Sequence, residues 1–283
     1  MTVRPDPRDA RRPGLRRFGR GLRLWGLALV VAGGALVPAG SRALARRFLF
    51  PTSEIPRCAS PDDFVRHLVL ARDGVAVRAL EIPAPPGART VVHFHNNRQT
   101  VESLADAART LRARGLGVLL VESRGYGASP GNDPSEEGLY LDAEAALDML
   151  AARGIGGDSV VLWGTSLGTG VAAEMARRGR GSRLVLVSPY TSIPELVTSV
   201  VPFAPARALV DDQFDTLAKA GDIRARTLVI HGDADEIVPF WMGERLAGAI
   251  RGARLLRVPN GHHGDLFLRD PELVLSEIAA FAS

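Results

Sequence analysis

The sequence predicts an α/β fold: a mostly parallel sheet with helices on both faces and a small cap, preceded by one N-terminal hydrophobic helix. Three observations predict it. From about residue 60, short runs rich in Val, Ile and Leu alternate with longer amphipathic stretches, as in sheets built from strand–helix units. The runs at 117–122 and 160–163 are apolar almost throughout, the pattern of strands covered on both sides. At 283 residues the chain can bury a large core and still carry an appendage.

Residues 1–23 form a basic arm, with eight arginines between Arg4 and Arg23. A charge-free run follows at 24–40, and then Arg42, Arg46 and Arg47. As a helix, the 17 residues of that run would span about 26 Å, the short end of what crosses a bilayer. A transmembrane signal anchor at 24–40 is therefore expected, with residues 41–60 as a linker. The alternative is a signal peptide cleaved at Ala43-Leu44-Ala45, which would release a secreted domain. The arginine excess ahead of the run keeps the N-terminus cytoplasmic and places the domain at 61–283 across the membrane. The net charge of +4 is uneven: residues 1–47 carry +9 and the remainder −5. The basic character thus belongs to the arm, and no nucleic-acid-binding face is expected. Cys58 is the single cysteine, which excludes a disulfide framework and a cysteine metal cluster.

Within the domain, 65–71 and 75–82 read as a strand pair joined at Asp73-Gly74. Residues 90–95 are a buried-type strand, 101–113 have helical periodicity and 117–122 are a further strand. Residues 136–153 form an amphipathic helix, with Leu139, Ala143, Ala146, Leu147 and Leu150 at helical spacing. Strands at 160–163, 184–188, 227–231 and 255–259 follow, and a terminal helix starts near Leu266. Residues 189–222 interrupt the alternation with Pro194, Pro202 and Pro205 and read as the small cap.

The strand at 160–163 runs into Gly164-Thr165-Ser166-Leu167-Gly168, and a helix follows. Glycines two residues either side of a serine, between strand and helix, make a nucleophile elbow, because side chains there would clash across so tight a turn. Ser166 would stand at a helix N-terminus, where N–H groups stabilise developing negative charge. An activated serine needs a base within hydrogen-bond reach and an acid to hold that base. Two loops after later strands offer them in the order acid, then histidine. The first carries Asp233, Asp235 and Glu236; the second carries His262 and His263. His93 and His95 alternate on one strand, but no acidic or cysteine partner accompanies them at useful spacing, so no metal site is expected.

With these stretches in view, the chain resembles the α/β-hydrolase superfamily. The resemblance is to its compact membrane-anchored serine hydrolases, which include the depalmitoylating abhydrolase-domain proteins. More distantly it resembles serine-aminopeptidase-like hydrolases. The matching stretches are His93-Phe94-His95-Asn96-Asn97, Ser123-Arg124-Gly125-Tyr126-Gly127-Ala128-Ser129, Leu162 to Gly170, His231 to Pro239 and Gly261-His262, and they cover roughly residues 65–282. The resemblance implies Ser166 as nucleophile and Asp235, three residues before Val238-Pro239, as acid. His262, directly after a glycine, is implied as base, with His263 as its competitor. It implies the backbone N–H groups of Asn97 and Leu167 as oxyanion donors. The chain departs from the family pattern at Asn96, where glycine is usual and where asparagine tolerates left-handed backbone better than most residues. Asn96, Tyr126 and Tyr190 are candidates for the pocket wall. Asp233 is expected to serve its own turn, Glu236 to face solvent, and Asp265 to cap the terminal helix.

The expected activity is that of a serine hydrolase cleaving acyl esters or thioesters through an acyl-enzyme, with no cofactor. The expected partners are a small acyl-ester or acylated substrate and, through the N-terminal helix, a membrane. A peptidase of the serine-aminopeptidase type and a non-catalytic membrane-bound scaffold are the alternatives.

Overall fold

Eight strands form one sheet in the order β1-β2-β4-β3-β5-β6-β7-β8. They are β1 (Val65–Leu70), β2 (Ala76–Ile82), β3 (Thr90–Phe94), β4 (Gly117–Glu122), β5 (Val160–Thr165), β6 (Arg183–Val187), β7 (Arg226–Gly232) and β8 (Arg254–Val258). In this computed structural model, residues 38–55, 58–129, 133–202 and 206–283 are described. β1 pairs antiparallel with β2, and β2 antiparallel with β4; the pairings from β4 through β8 are all parallel. The first hairpin turns at Asp73-Gly74, where Gly74 takes φ 82°, a left-handed value that its missing side chain permits.

Every residue of β3, β4 and β5 is buried, so these strands read as continuous rather than alternating apolar runs. Helices cover both faces. Helix α1 (Pro38–Leu49) opens the described chain, followed by α2 (Ala105–Ala113), α3 (Glu136–Ala152) and α4 (Leu167–Arg177). On one side Leu139, Leu147, Leu150, Val171 and Met175 of α3 and α4 pack on Val92, Leu119 and Leu162. On the other, Ala108 and Leu111 of α2 and Val274 and Ile278 near the C-terminus pack on Val91, Leu120 and Trp163. Strand order reverses at β3, which lies between β4 and β5. The crevice outside the carboxyl ends of β3 and β5 is where sheets of this kind place their ligands.

The segment read as a cap contains α5 (Ile193–Val200), α6 (Ala206–Leu209) and α7 (Thr216–Lys219). It is latched to the domain by Lys219, the single lysine of the chain. The Lys219 ammonium donates to the Tyr140 hydroxyl at 2.8 Å and pairs with Glu136 at 3.4 Å and Glu174 at 3.2 Å. Glu174 also receives Arg177 and Arg178.

Three elements depart from the sequence reading. Helix α1 occupies residues assigned to the end of the apolar run and to the linker. Helix α8 (Phe240–Ala249) follows the acid loop, where Pro239 at its N-cap and Gly243 and Gly248 within it obscure the periodicity. The terminal helix is two: α9 (Leu266–Arg269) and α10 (Pro271–Ala282), separated because Asp270 caps α10 through Leu273 N and Pro271 starts it. Asp265 makes no side-chain cap bond. Among the described residues no helix is long and apolar enough to cross a membrane; most of the run at 24–40 lies outside them.

Burial would raise the Glu174 carboxyl, but Arg177, Arg178 and Lys219 outweigh it and hold it at about 2, below the ordinary 4.5. Because the folded value is depressed, this contribution is complete above about pH 4.5 and disappears as pH falls toward 2. Glu174→Gln should lower stability at pH 7 by on the order of 1–2 kcal/mol, allowing for solvent screening of the arginines. Urea titrations across pH should show the gap between variant and parent narrowing below pH 4.5.

Candidate active site

Ser166 joins β5 to α4 with φ 50° and ψ −116°, a strained conformation costing about 1–3 kcal/mol for a non-glycine residue. The surroundings enforce it. Ser166 N–H donates to the Val187 carbonyl at 2.9 Å, and Thr169 N–H and Oγ1 both return to the Ser166 carbonyl. A Cβ on Gly164 would overlap the Gly168 carbonyl, and a Cβ on Gly168 would overlap the Phe94 carbonyl. Both flanking glycines are therefore required by backbone contact. The first turn of α4 rests on the end of β3.

The Ser166 hydroxyl lies 2.9 Å from Nε2 of His263. Nδ1 of the same ring lies 2.9 Å from Oδ2 and 3.1 Å from Oδ1 of Asp235. A carboxylate only accepts, so Nδ1 carries the proton and Nε2 is the acceptor facing Ser166. Asp235 Oδ1 also accepts the backbone N–H groups of Ile237 and Val238 at 2.9 and 2.8 Å. His231 Nε2 lies 3.2 Å from Oδ2 and donates to the Val238 carbonyl at 2.9 Å. Burial would raise the Asp235 carboxyl, but hydrogen bonds from His231, His263 and the loop backbone hold it well below the usual carboxylate range.

The ring in this chain of bonds is thus His263, which corrects the sequence expectation of His262. His262 Nδ1 instead meets Glu236 Oε2 at 3.1 Å, at the exposed rim, and its backbone N–H donates to Asp265. The physical reason lies in the loop. Asn260 takes φ 53°, and Gly261 packs backbone to backbone against Gly232 at the end of β7. The glycine is held by that crossing, and the turn brings the second histidine rather than the first to Ser166. Two identical side chains one residue apart carry no sequence signal that separates them. Glu236, expected to face solvent, also accepts weakly from His263 N–H at 3.4 Å. Asp233 braces the strand-to-loop junction through Arg257 and Asn260 N–H rather than its own turn.

The loop after β3 is fixed by His95. Its Nδ1 donates to the Asn96 carbonyl at 2.6 Å, and its Nε2 accepts from Ser123 N–H at 3.1 Å. Burial lowers its affinity for a proton, which keeps it in that neutral form. Tyr126 packs edge-on against this ring with centroids 4.8 Å apart. Asn96 Oδ1 accepts from Arg98 N–H at 2.8 Å, and Asn96 is absent from the non-glycine residues with positive φ. It substitutes for glycine without entering left-handed space. Leu167, the first residue of α4, has a backbone N–H that intrahelical bonding leaves free. Tyr190, taken as a pocket candidate, is buried over Gly170 and donates to the Leu167 carbonyl at 3.2 Å, so it supports this turn from behind.

His93 lies beneath the site, with Nε2 3.1 Å from Thr165 Oγ1 and its ring edge-on to Trp163. Burial, and then the neighbouring His95, push it well below the ordinary histidine value. Among the described residues no group of three or more His, Cys, Asp or Glu could hold a metal ion.

Residues 85–210 match the serine aminopeptidase, S33 family. An uncharacterized protein of Mycobacterium tuberculosis is 34% identical over 242 residues, covering 83% of this chain and 86% of its own length. A putative alpha/beta hydrolase of Acanthamoeba polyphaga mimivirus is 30% identical over 197 residues, covering 68% of this chain and 72% of its own. The chain belongs to the α/β-hydrolase superfamily. Solved structures share the fold. A ferulic acid-bound esterase from Butyrivibrio proteoclasticus aligns with a TM-score of 0.66 at 19% identity, over 76% of this chain and 97% of that one. An esterase from Exiguobacterium antarcticum aligns at 0.62 and 18% identity, over 77% and 99%. The viral relative carries the superfamily and the solved structures carry the fold; neither extends to the membrane-anchored branch.

Because Gly168 touches the β3 carbonyl directly, Gly168→Ala must push α4 from the sheet. It should cost about 1–3 kcal/mol by thermal denaturation and abolish reaction with a serine-directed fluorophosphonate.

Proposed function

We propose that this protein is a serine hydrolase that cleaves acyl esters or thioesters through an acyl-enzyme. One observation carries the reading: the unbroken hydrogen-bond chain from Ser166 through His263 to Asp235, set at a strained strand-to-helix turn. Ser166 Oγ attacks the acyl carbonyl carbon while His263 Nε2 takes its proton. The N–H groups of Asn97 and Leu167 receive the developing oxyanion. On collapse of the tetrahedral adduct, the proton on Nε2 goes to the departing alkoxide or thiolate. Water then attacks the acyl-enzyme with His263 again as base, releasing the acid and restoring Ser166. Asp235 stays ionised throughout and holds the imidazolium.

An ester or thioester substrate is favoured over a peptide by the compact cap at 189–222, and ferulic-acid-bound and other esterases share the fold. The match of 85–210 to the serine aminopeptidase family supports peptidase activity as the second reading. Attachment to a membrane through the apolar run at 24–40, with the catalytic domain on the extracytoplasmic side, completes the proposal. It rests on the sequence alone.

Ser166→Ala should abolish fluorophosphonate labelling and acyl-ester turnover while the circular dichroism spectrum is kept. His263→Ala should be about as severe, because members of a triad act as a unit. Asp235→Asn should cost on the order of 10⁴-fold by favouring the wrong tautomer. His262→Ala should retain most turnover. If His262→Ala is the inactive variant, the base assignment fails; if Ser166→Ala still turns over esters, the hydrolase reading fails. Aminoacyl amides cleaved in preference to chromogenic esters would favour the peptidase.

In fractionated cells, the full chain should sediment with membranes and resist both high salt and alkaline carbonate. Release by carbonate with residues 1–45 retained would defeat the anchor, and a mature protein starting at Arg46 would show a cleaved signal instead.

A further inference from the structure

The Asn97 N–H serves an oxyanion only if the loop carrying it is held still. Within the domain that loop is pinned by His95 and by the Asn96 side chain. A further pin comes from outside the sheet. Asn97 Nδ2 donates at 3.1 Å to the carbonyl of Leu49, the last residue of α1. A carbonyl at a helix C-terminus lacks an intrahelical partner and lies at the negative end of the helix dipole, so it is a strong acceptor.

Helix α1 is itself fixed at several points. Arg42 donates to the Ala208 carbonyl of α6 in the cap, and Arg46 donates to the Pro134 carbonyl at 2.6 Å. Phe50, next after α1, is buried in the core beside α3 and α4. Just beyond it, Glu54 pairs with Arg98 of the loop at 2.6 Å. A single segment thus ties the cap to the loop that follows β3.

We infer that α1 positions the oxyanion donor: the Leu49 carbonyl, by holding the Asn97 side chain, fixes the Asn97 backbone N–H against the acyl oxygen. The inference rests on the hydrolase reading. It gives Asn97 two tasks, its main chain toward the substrate and its side chain toward α1. The Asn97 side chain and α1 are positioning groups, since neither touches the reacting atoms. Misplacing such a donor removes stabilisation from the transition state and leaves ground-state binding largely intact.

The test uses the full chain with a p-nitrophenyl ester, a trifluoromethyl ketone that forms a tetrahedral adduct, and a carboxylate product as ground-state probe. Asn97→Ala should lower kcat roughly 10- to 100-fold with KM nearly unchanged. Affinity for the ketone should fall in proportion, and affinity for the carboxylate should hold. The surface pair Arg42→Ala with Arg46→Ala should lower kcat in the same sense, and should add little to Asn97→Ala because both act through one contact. Asn97→Ala with kcat and ketone affinity within about twofold of the parent would overturn the inference, as would equal losses for ketone and carboxylate. Should Asn97→Ala fail to fold, the arginine pair decides: unchanged kcat and ketone affinity overturn the inference. Fluorophosphonate labelling separates the two failures. A parent chain that is not labelled at Ser166 ends the hydrolase reading and this inference together, whereas labelled parent with indifferent variants ends the inference alone.

Discussion

The first turn of α4 lies directly on the carbonyls that end β3, with no side chain between them. That contact exists because residue 168 is glycine, and it sets the spacing of everything at the strand ends. It brings the turn at Ser166 beside the loop of His95 to Arg98 and leaves the serine in a backbone conformation it would not choose alone. The strain is sustained because the Val187 carbonyl, the Thr169 side chain and the buried face of α4 all fix the turn at once. Sheet order does the rest. The order reverses at β3, and the parallel strands β5, β7 and β8 bring the loops of Ser166, Asp235 and His263 to the same end of the sheet.

Asp235 shows how such a site holds charge in a buried place. Its side chain is shut off from solvent, a position that by itself disfavours an anion. Two backbone N–H groups and two imidazoles supply the compensation. His231 is the less visible of the two. It is fully buried, and Gly243 leaves it just enough room on α8. The surroundings of Asp235 are therefore built from β7, its following turn and the start of α8 together.

Much of this was legible in the chain. Strands buried on both faces announce themselves as apolar runs, and the elbow glycines are dictated by close approach, so β3 to β7 and Ser166 could be read directly. Asp235, the carboxylate that meets His263 Nδ1, was singled out from Asp233 and Glu236 through the Val238-Pro239 spacing of the family the chain resembles. The histidine was not separable. Its identity depends on a left-handed turn at Asn260 and on where Gly261 crosses Gly232, and both are tertiary facts. Helix α8 was hidden by its own glycines, and α1 by the apolar run before it. The contact of α1 with Asn97 spans 48 residues and joins a helix-end carbonyl to a loop amide, a pairing with no local pattern.

The latch at Lys219 has a use as a probe. Among 35 basic residues it is the single primary-amine side chain, and it sits folded against Tyr140, Glu136 and Glu174. Guanidinium groups do not acylate under mild conditions, so among the side chains an amine-directed reagent meets one lysine, and the ion pairs and hydrogen bond that hold its ammonium slow that reaction while they last. The rate at which that lysine becomes tagged therefore reports how firmly residues 216–219 are held against Tyr140, Glu136 and Glu174, with no residue substituted.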